Sequence, residues 1–142
     1  MRRLAALAIT ERARSALRAT GERVTPARLR VYVALLDSVR ALSHHELEAA
    51  LGAGTPVDRV TLYRVLDWLV EQGLAHRVAG IDRVWRFSIA RETRASHAHF
   101  QCNQCGKVIS LGRAMTGRVP LPRGFRSEAV ELRVLGRCAE CG

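Results

Sequence analysis

Residues 58–73 read DRVTLYRVLDWLVEQG, and this stretch decides the fold. Its apolar side chains follow the i, i+3, i+4, i+7 pattern of a helix with one buried face: Leu62, Val65, Leu66 and Leu69. Asp58 is suited to cap the start of this helix, and Gly73 to end it. The opposite face presents polar and aromatic side chains that are free to meet a partner.

Helices precede this stretch and a hairpin follows it. A weak first helix ends near Thr20-Gly21, Thr25-Pro26 predicts the start of a second, and Ser43 with Glu46 predicts a capping box on a short third. After Gly73, residues 74–78 and 84–89 are short strand-like runs. Helices followed by a two-stranded hairpin are the outline of a winged helix, in which one helix enters the major groove of DNA.

On this interpretation the helix at residues 58–73 reads DNA. Arg can bond guanine bidentately, while a Thr methyl or a Tyr ring can pack on thymine methyls. The predicted DNA-contacting residues are Arg28, Arg59, Thr61, Tyr63 and Arg64. The alternative is a solvated helix face, because helix-turn-helix patterns are weak by themselves.

The composition favours a DNA-binding protein as well. Lys+Arg number 23 and Asp+Glu 13, giving a formal net charge of +10 over 142 residues. A basic surface gains affinity for phosphate backbones through counterion release, although an Arg-rich genome would also produce this charge. No apolar run approaches the about 20 residues of a membrane span, and no signal peptide is evident. We therefore expect a cytoplasmic protein without a membrane partner.

All four cysteines lie in two C-x-x-C pairs near the end of the chain, with 32 residues between the pairs: Cys102, Cys105, Cys138 and Cys141. Two such pairs can close a tetrahedral S4 shell around one zinc ion. Zinc would stabilise a segment of only about 50 residues, which is too short for a large core. Disulfides and a redox dithiol are the alternatives, and a cytosolic location argues against the first.

Three histidines are candidates for a second metal site. His97 and His99 would share one face of a strand, with Cα atoms about 6–7 Å apart. His76, at the start of the hairpin, is the best third ligand. Solvated or structural histidines are the alternative, and we interpret His44 and His45 on the short helix as solvated.

Taken together, these motifs resemble the ferric-uptake-regulator family of metal-dependent bacterial repressors. The matching stretches occur in family order from about residue 20 to residue 142: GERVTPAR at 21–28, TLYRVL at 61–66, QGLAH at 72–76, HAH at 97–99, CNQCGKVI at 102–109, GF at 124–125 and GRCAEC at 136–141.

The resemblance implies an α+β protein with a winged-helix DNA-binding domain at residues 1–88, a hinge at 89–96 and a small α/β dimerisation and metal-binding domain at 97–142. It implies a structural zinc on the four cysteines and a separate regulatory metal between the domains. A homodimer would bind double-stranded DNA at a pseudo-palindromic operator.

The branch within the family follows from departures in this chain. Iron- and peroxide-sensing members carry ligands at positions where this chain has Ala41, Arg86 and Ser110. The usual histidine of their second, C-terminal metal site aligns near Val130, so we expect that site to be absent from this chain. The zinc-uptake-regulator branch places a ligand at His76, but often adds a cysteine where this chain has Phe87 and Ser88.

A zinc-responsive repressor of metal-uptake genes is the leading hypothesis. Its predicted regulatory ligands are His76, His97, His99 and Glu92, although the fourth position stays open to a helix histidine or water. Imidazole ligands suit zinc better than Fe2+ or Mn2+. The alternatives are an iron or peroxide sensor and a DNA-binding protein with structural zinc only. No Ser-His-Asp or H-E-x-x-H constellation occurs, so we do not expect an enzyme.

Overall fold

A computed structural model describes residues 2–52, 57–90, 96–113, 119–128 and 130–142. Its helices are α1 (Arg2–Arg18), α2 (Pro26–Asp37), α3 (His44–Leu51) and α4 (Arg59–Glu71). Its strands are β1 (Leu42–Ser43), β2 (Ala75–Ala79), β3 (Trp85–Ile89), β4 (Ser96–Cys102), β5 (Val108–Arg113) and β6 (Val130–Gly136). None of the helices in these ranges is long and apolar enough to cross a membrane.

The helix boundaries lie where the capping residues predict them. The Thr25 hydroxyl accepts a hydrogen bond from the Arg28 backbone N–H at 3.2 Å, and Pro26 occupies the first turn of α2. Ser43 and Glu46 form the predicted capping box at the start of α3. After α4, Gly73 adopts a φ of 70°, a conformation that is strained for residues with a Cβ.

The apolar face of α4 is the centre of the main hydrophobic core. Leu62, Leu66 and Leu69 are each 0% exposed, and they pack in one cluster with buried residues of the other three helices and of β3: Leu17, Val31, Leu35, Leu47 and Phe87. Truncating such a side chain to alanine typically costs about 2–5 kcal/mol of unfolding free energy. This packing fixes the direction in which the opposite face of α4 points.

A three-stranded antiparallel sheet in the order β1-β3-β2 completes this half of the chain. The sequence predicted only the β2–β3 hairpin, and the short strand β1 adds the third strand by pairing Leu42 with Phe87. Phe87 and Ile89 belong to the main core. Because side chains alternate along a strand, Arg86 and Ser88 point away from that core.

The second sheet has the order β5-β4-β6, with β5 antiparallel and β6 parallel to the central strand β4. Among the described residues from 96 onwards there are strands and turns but no helix.

The two sheets are joined by direct contacts. The Ala41 backbone N–H donates to the Val108 carbonyl at 2.9 Å, and Arg40 forms an isolated β-bridge with Ile109. Ala41, Val78 and Val108 form a small buried cluster of their own. The face of β2 that carries Val78 is therefore packed against the face of β5 that carries Val108.

Candidate metal centres and nucleic-acid interface

The four cysteines come together at one point. Their sulfur atoms all lie within 4.8 Å of one another, and the Sγ atoms of Cys105 and Cys138 are 3.7 Å apart. A zinc ion with bonds of about 2.3 Å to sulfur requires sulfur–sulfur distances of about 3.8 Å at the corners of a tetrahedron. The predicted cysteine set thus fits a structural zinc ion in both chemistry and spacing.

Tight turns hold these cysteines. The Gly106 N–H donates to the Cys102 carbonyl at 3.0 Å, and the Cys141 N–H to the Cys138 carbonyl at 3.0 Å. Backbone N–H groups of Cys105 and Cys138 lower the pKa of the Cys102 thiol to about 6, which favours the thiolate form that binds metal. An ion pair of 2.6 Å between Lys107 and Glu140 joins the two turns.

A second cluster forms where the two sheets meet. The imidazole rings of His76 on β2 and His99 on β4 have centroids 6.4 Å apart. Two imidazoles on one tetrahedral zinc ion, whose bonds to nitrogen are about 2.0 Å long, have centroids about 5 Å apart, so the two rings would have to approach by about 1 Å to share an ion. His99 is only 2% exposed. Two of the predicted regulatory ligands are therefore brought together from the two halves.

The other two predicted regulatory ligands are His97 and Glu92. The backbone of His97 lies in β4, paired with Arg113 and Glu131. A register irregularity in the β4–β5 pairing falls between Ala98 and His99. Glu92 lies outside the described residues. Their roles as ligands stay predictions.

Two residues that the sequence did not assign to this cluster contribute buried polar atoms near it. Ser88 lies directly opposite His76 in the β2–β3 pairing and is 7% exposed. Gln101 is 1% exposed and, by alternation along β4, shares a face with His99. Within the described part of the chain, neither the Ser88 hydroxyl nor the Gln101 amide has a hydrogen-bond partner.

Burying a polar group without a partner costs about 1–3 kcal/mol. A ligand between the sheets would remove this cost, so the orphaned atoms fit a polar or metal site beside His76 and His99. The sequence gives little indication that Gln101 belongs to this cluster. Gln101 stands between Phe100 and Cys102, and the burial of this strand is evident only in the fold.

Arg86 stands at one of the positions where iron- and peroxide-sensing members of the family carry a metal ligand. Its guanidinium makes a double hydrogen bond to the Asp82 carboxylate, both at 2.8 Å, and its side chain is 11% exposed. The pair lies beside the first cysteine turn, since a Cβ at Gly106 would be 3.5 Å from the guanidinium. This cation ties the hairpin to the cysteine turn and does not ligate.

The predicted DNA-contacting residues of α4 lie on its solvent side. Arg59 and Arg64 are exposed, and Tyr63 is 44% exposed. Arg59 is paired with Glu48 at 2.9 Å. The Thr61 hydroxyl donates to Asp58 at 2.6 Å, so it takes part in capping the helix.

Arg28, the remaining predicted DNA contact, lies elsewhere on the surface. Its guanidinium is 3.7 Å from the centre of the Trp68 ring and donates to the Arg23 carbonyl at 2.7 Å. This cation–π contact stabilises the packing of α2 on α4. A DNA contact from Arg28 stays a prediction.

The histidines of α3 differ from each other. His45 is exposed, as the sequence suggested. The prediction of a solvated side chain is wrong for His44, whose ring stacks on Tyr63 with centroids 3.7 Å apart. The position of α3 against α4 causes this contact, and sequence spacing does not show it.

Comparison with known proteins gives a consistent result. The sequence model of the Ferric uptake regulator family matches residues 19–119. The zinc uptake regulation protein of Escherichia coli (strain K12) is 32% identical over 87 residues, which cover 61% of this chain and 51% of that protein. The peroxide operon regulator of Bacillus subtilis (strain 168) is 27% identical over 130 residues, which cover 88% of each.

Solved structures show the same fold. A zinc uptake regulator complexed with zinc and DNA superposes with a TM-score of 0.68 at 22% identity, over 95% of this chain and 93% of that one. A ferric uptake regulator from Pseudomonas aeruginosa with manganese has a TM-score of 0.64 at 25% identity, over 89% and 98%. The predicted fold class is thereby confirmed. The match to the Escherichia coli protein spans about half of that protein's length, 51%.

Proposed function

The chain belongs to the ferric uptake regulator family, and we propose from this premise that it is a metal-dependent, DNA-binding transcriptional repressor. We infer that this repressor responds to zinc, lies in the cytoplasm and controls metal-uptake genes. It acts as a homodimer and not as an enzyme. The observation that carries this proposal is the approach of His76 and His99, on two different sheets, to a centroid distance of 6.4 Å.

An ion held by residues of both sheets would act as a regulatory metal. It would bind most tightly to the arrangement in which both imidazoles can reach it, and it would thereby shift the population toward that arrangement. Residues 1–88 would form the DNA-binding domain, residues 89–96 the hinge and residues 97–142 the dimerisation and metal-binding domain. His97 and Glu92 complete the predicted ligand set.

The donors at this site favour zinc over iron or manganese. The described side chains around it offer two imidazoles, the Ser88 hydroxyl and the Gln101 amide. Mn2+ prefers carboxylate and water oxygens, and non-haem Fe2+ sites combine imidazoles with a carboxylate. An iron or peroxide sensor is the second candidate, supported by the 27% identity with the peroxide operon regulator.

Strand β6 offers a surface for the second copy of the chain. It pairs only with β4 among the described strands, and it exposes Leu132, Val134 and Leu135 by 44%, 40% and 56%. Apolar side chains of this size favour an interface when they are contiguous. Dimerisation through this half would place two α4 helices on the two half-sites of a pseudo-palindrome.

DNA binding in buffered free metal tests the proposal. A random duplex DNA library is selected with the wild-type protein in zinc, and the selected duplex is then titrated by fluorescence anisotropy at fixed free Zn2+ or Fe2+. We expect affinity to rise about 5–150-fold on saturation with the sensed metal. Activation by Fe2+ alone would favour the iron sensor. Tight binding that ignores both metals would favour a DNA-binding protein with structural zinc only.

A further inference from the structure

His44 connects the hydrophobic core to the DNA-facing surface of α4. One side of its ring stacks on Tyr63, with centroids 3.7 Å apart and ring planes inclined by 31°. The ring also meets Phe87 edge-on at 5.0 Å and 78°. Phe87 is 1% exposed, whereas Tyr63 is 44% exposed. An exposed aromatic side chain is thus attached through His44 to a fixed core residue.

The backbone beneath His44 is held firmly as well. His44 is the first residue of α3 and directly follows Ser43, whose side chain and backbone form the capping box with Glu46. Glu46 is also bonded to Arg40. Desolvation by burial lowers the pKa of His44, against the opposing effect of the Asp67 and Glu48 carboxylates. These contacts leave the imidazole little freedom to rotate away from Tyr63.

The same short helix restrains a second side chain of α4. Glu48 accepts from Arg59 at 2.9 Å and 3.5 Å. A shallow pocket of about 290 Å³ opens between these pairs, and the hairpin residue Val84 completes its lining. The pocket therefore joins α3, α4 and the hairpin on the surface that faces DNA in a winged helix.

We propose that His44 is a positioning residue that holds the Tyr63 ring ready for contact with a base. The inference rests on the proposed DNA-binding function and adds a residue that does not itself touch DNA. A side chain that is ordered before binding loses less conformational entropy on binding than a free one. The cost of ordering one side chain on binding corresponds to about 2–10-fold in affinity.

The test compares His44→Ala, His44→Phe and His45→Ala on the duplex selected by the wild-type protein in zinc. We expect His44→Ala to weaken binding about 2–10-fold and to broaden the preference at one base pair in a repeated selection. His44→Phe keeps a flat ring against Tyr63, so it should restore both affinity and preference. His45→Ala is the matched control, because His45 lines the same pocket but has no ring contact with Tyr63 among the described residues.

A double-mutant comparison distinguishes positioning from a direct contact. In the Tyr63→Ala background, His44→Ala should cause no further loss. The chemical shifts of the Tyr63 ring in the free protein should move in His44→Ala and not in His45→Ala, while the melting temperature and zinc content confirm that each variant folds. If His44→Ala caused the same loss of DNA affinity with and without Tyr63, the inference would be overturned. Wild-type affinity and base preference in His44→Ala would overturn it as well. Either result would leave the proposed function standing. Failure of the wild-type protein to select any DNA would overturn both.

Discussion

The cysteine cluster and the histidine pair of this protein differ in which parts of the chain supply their residues. The four cysteines belong to two tight turns of the C-terminal half, and their sulfur atoms lie within 4.8 Å of one another. His76 and His99 belong to different sheets, and the centroids of their rings are 6.4 Å apart. The cysteine cluster is assembled within one sheet, where the β4–β6 pairing brings its two turns together, whereas the histidine cluster depends on the packing of one sheet against the other.

This difference assigns different physical roles to the two regions. A closed set of four thiolates binds zinc without requiring movement elsewhere, so its binding free energy stabilises the fold. A site shared by two sheets gains its binding free energy only in the arrangement that brings both ligands together, so its occupancy can report the metal concentration. Substitutions at the two regions should therefore have separable effects.

The largest effect is expected at the cysteine cluster. Cys102→Ser should remove the structural zinc and abolish cooperative unfolding of the C-terminal half, because such ions supply about 10–16 kcal/mol of apparent folding free energy. Elemental analysis and urea unfolding measure the two consequences. Asn103→Ser is the matched control in the same turn, since Asn103 is exposed. A Cys102→Ser protein with its full zinc content and wild-type unfolding would contradict a structural role.

His76→Ala and His99→Ala should instead leave that zinc in place. We expect each variant to lose the second metal equivalent and most of the zinc dependence of DNA binding, a change of about 5–150-fold in affinity at saturating zinc. Anisotropy titrations in buffered zinc measure this change, with His45→Ala as the control on an exposed histidine. If His99→Ala responds to zinc like the wild-type protein, the two-sheet site is not regulatory.

Sequence patterns predicted the helices because their signals are local, and the cysteine cluster because each C-x-x-C pair shows half of the ligand set, although 32 residues lie between the pairs. The spacing of two C-x-x-C pairs nearly determines an S4 site, and the i, i+3, i+4, i+7 pattern of α4 determines its buried face. Capping residues such as Thr25, Ser43 and Asp58 marked the starts of α2, α3 and α4 because each interacts with a backbone N–H only three residues away.

The features that the sequence did not reveal depend on contacts between distant segments. The strand β1 exists because Leu42 pairs with Phe87, 45 positions along the chain. Ser88 joins His76 through the register of the hairpin, and His44 meets Tyr63 through the packing of two helices. No local pattern encodes these pairings.

Substitution of the buried Gln101 amide should have an intermediate effect on stability and on zinc binding. Gln101→Leu should stabilise the metal-free protein by about 1–2 kcal/mol, because it removes a buried polar group that lacks a hydrogen-bond partner among the described residues. The same change should weaken binding of the second zinc and leave the cysteine-bound zinc unaffected. Urea unfolding with and without added zinc measures both, with Gln104→Leu as the exposed control. Destabilisation of the metal-free protein would show that the amide already has a structural partner.

The smallest effect is expected where the hairpin meets the first cysteine turn. The Arg86 guanidinium lowers the pKa of Asp82 to about 2. Stability from this pair should therefore be present above the ordinary pKa of about 4 and be lost as the pH falls toward 2. Asp82 is 43% exposed, so solvent screening limits the contribution to at most about 1 kcal/mol.

Asp82→Asn should accordingly be less stable than the wild-type protein at pH 7 and at pH 5, and the difference in unfolding free energy should shrink when unfolding is measured at pH 3. Glu71→Gln, an exposed carboxylate at the end of α4, is the control for loss of a negative charge. Because the pair lies beside the first cysteine turn and neither residue is a predicted zinc ligand, zinc dependence of DNA binding should persist in Asp82→Asn. Loss of that dependence would mean that the two regions are coupled through the hairpin, and the separation of stability from sensing would fail.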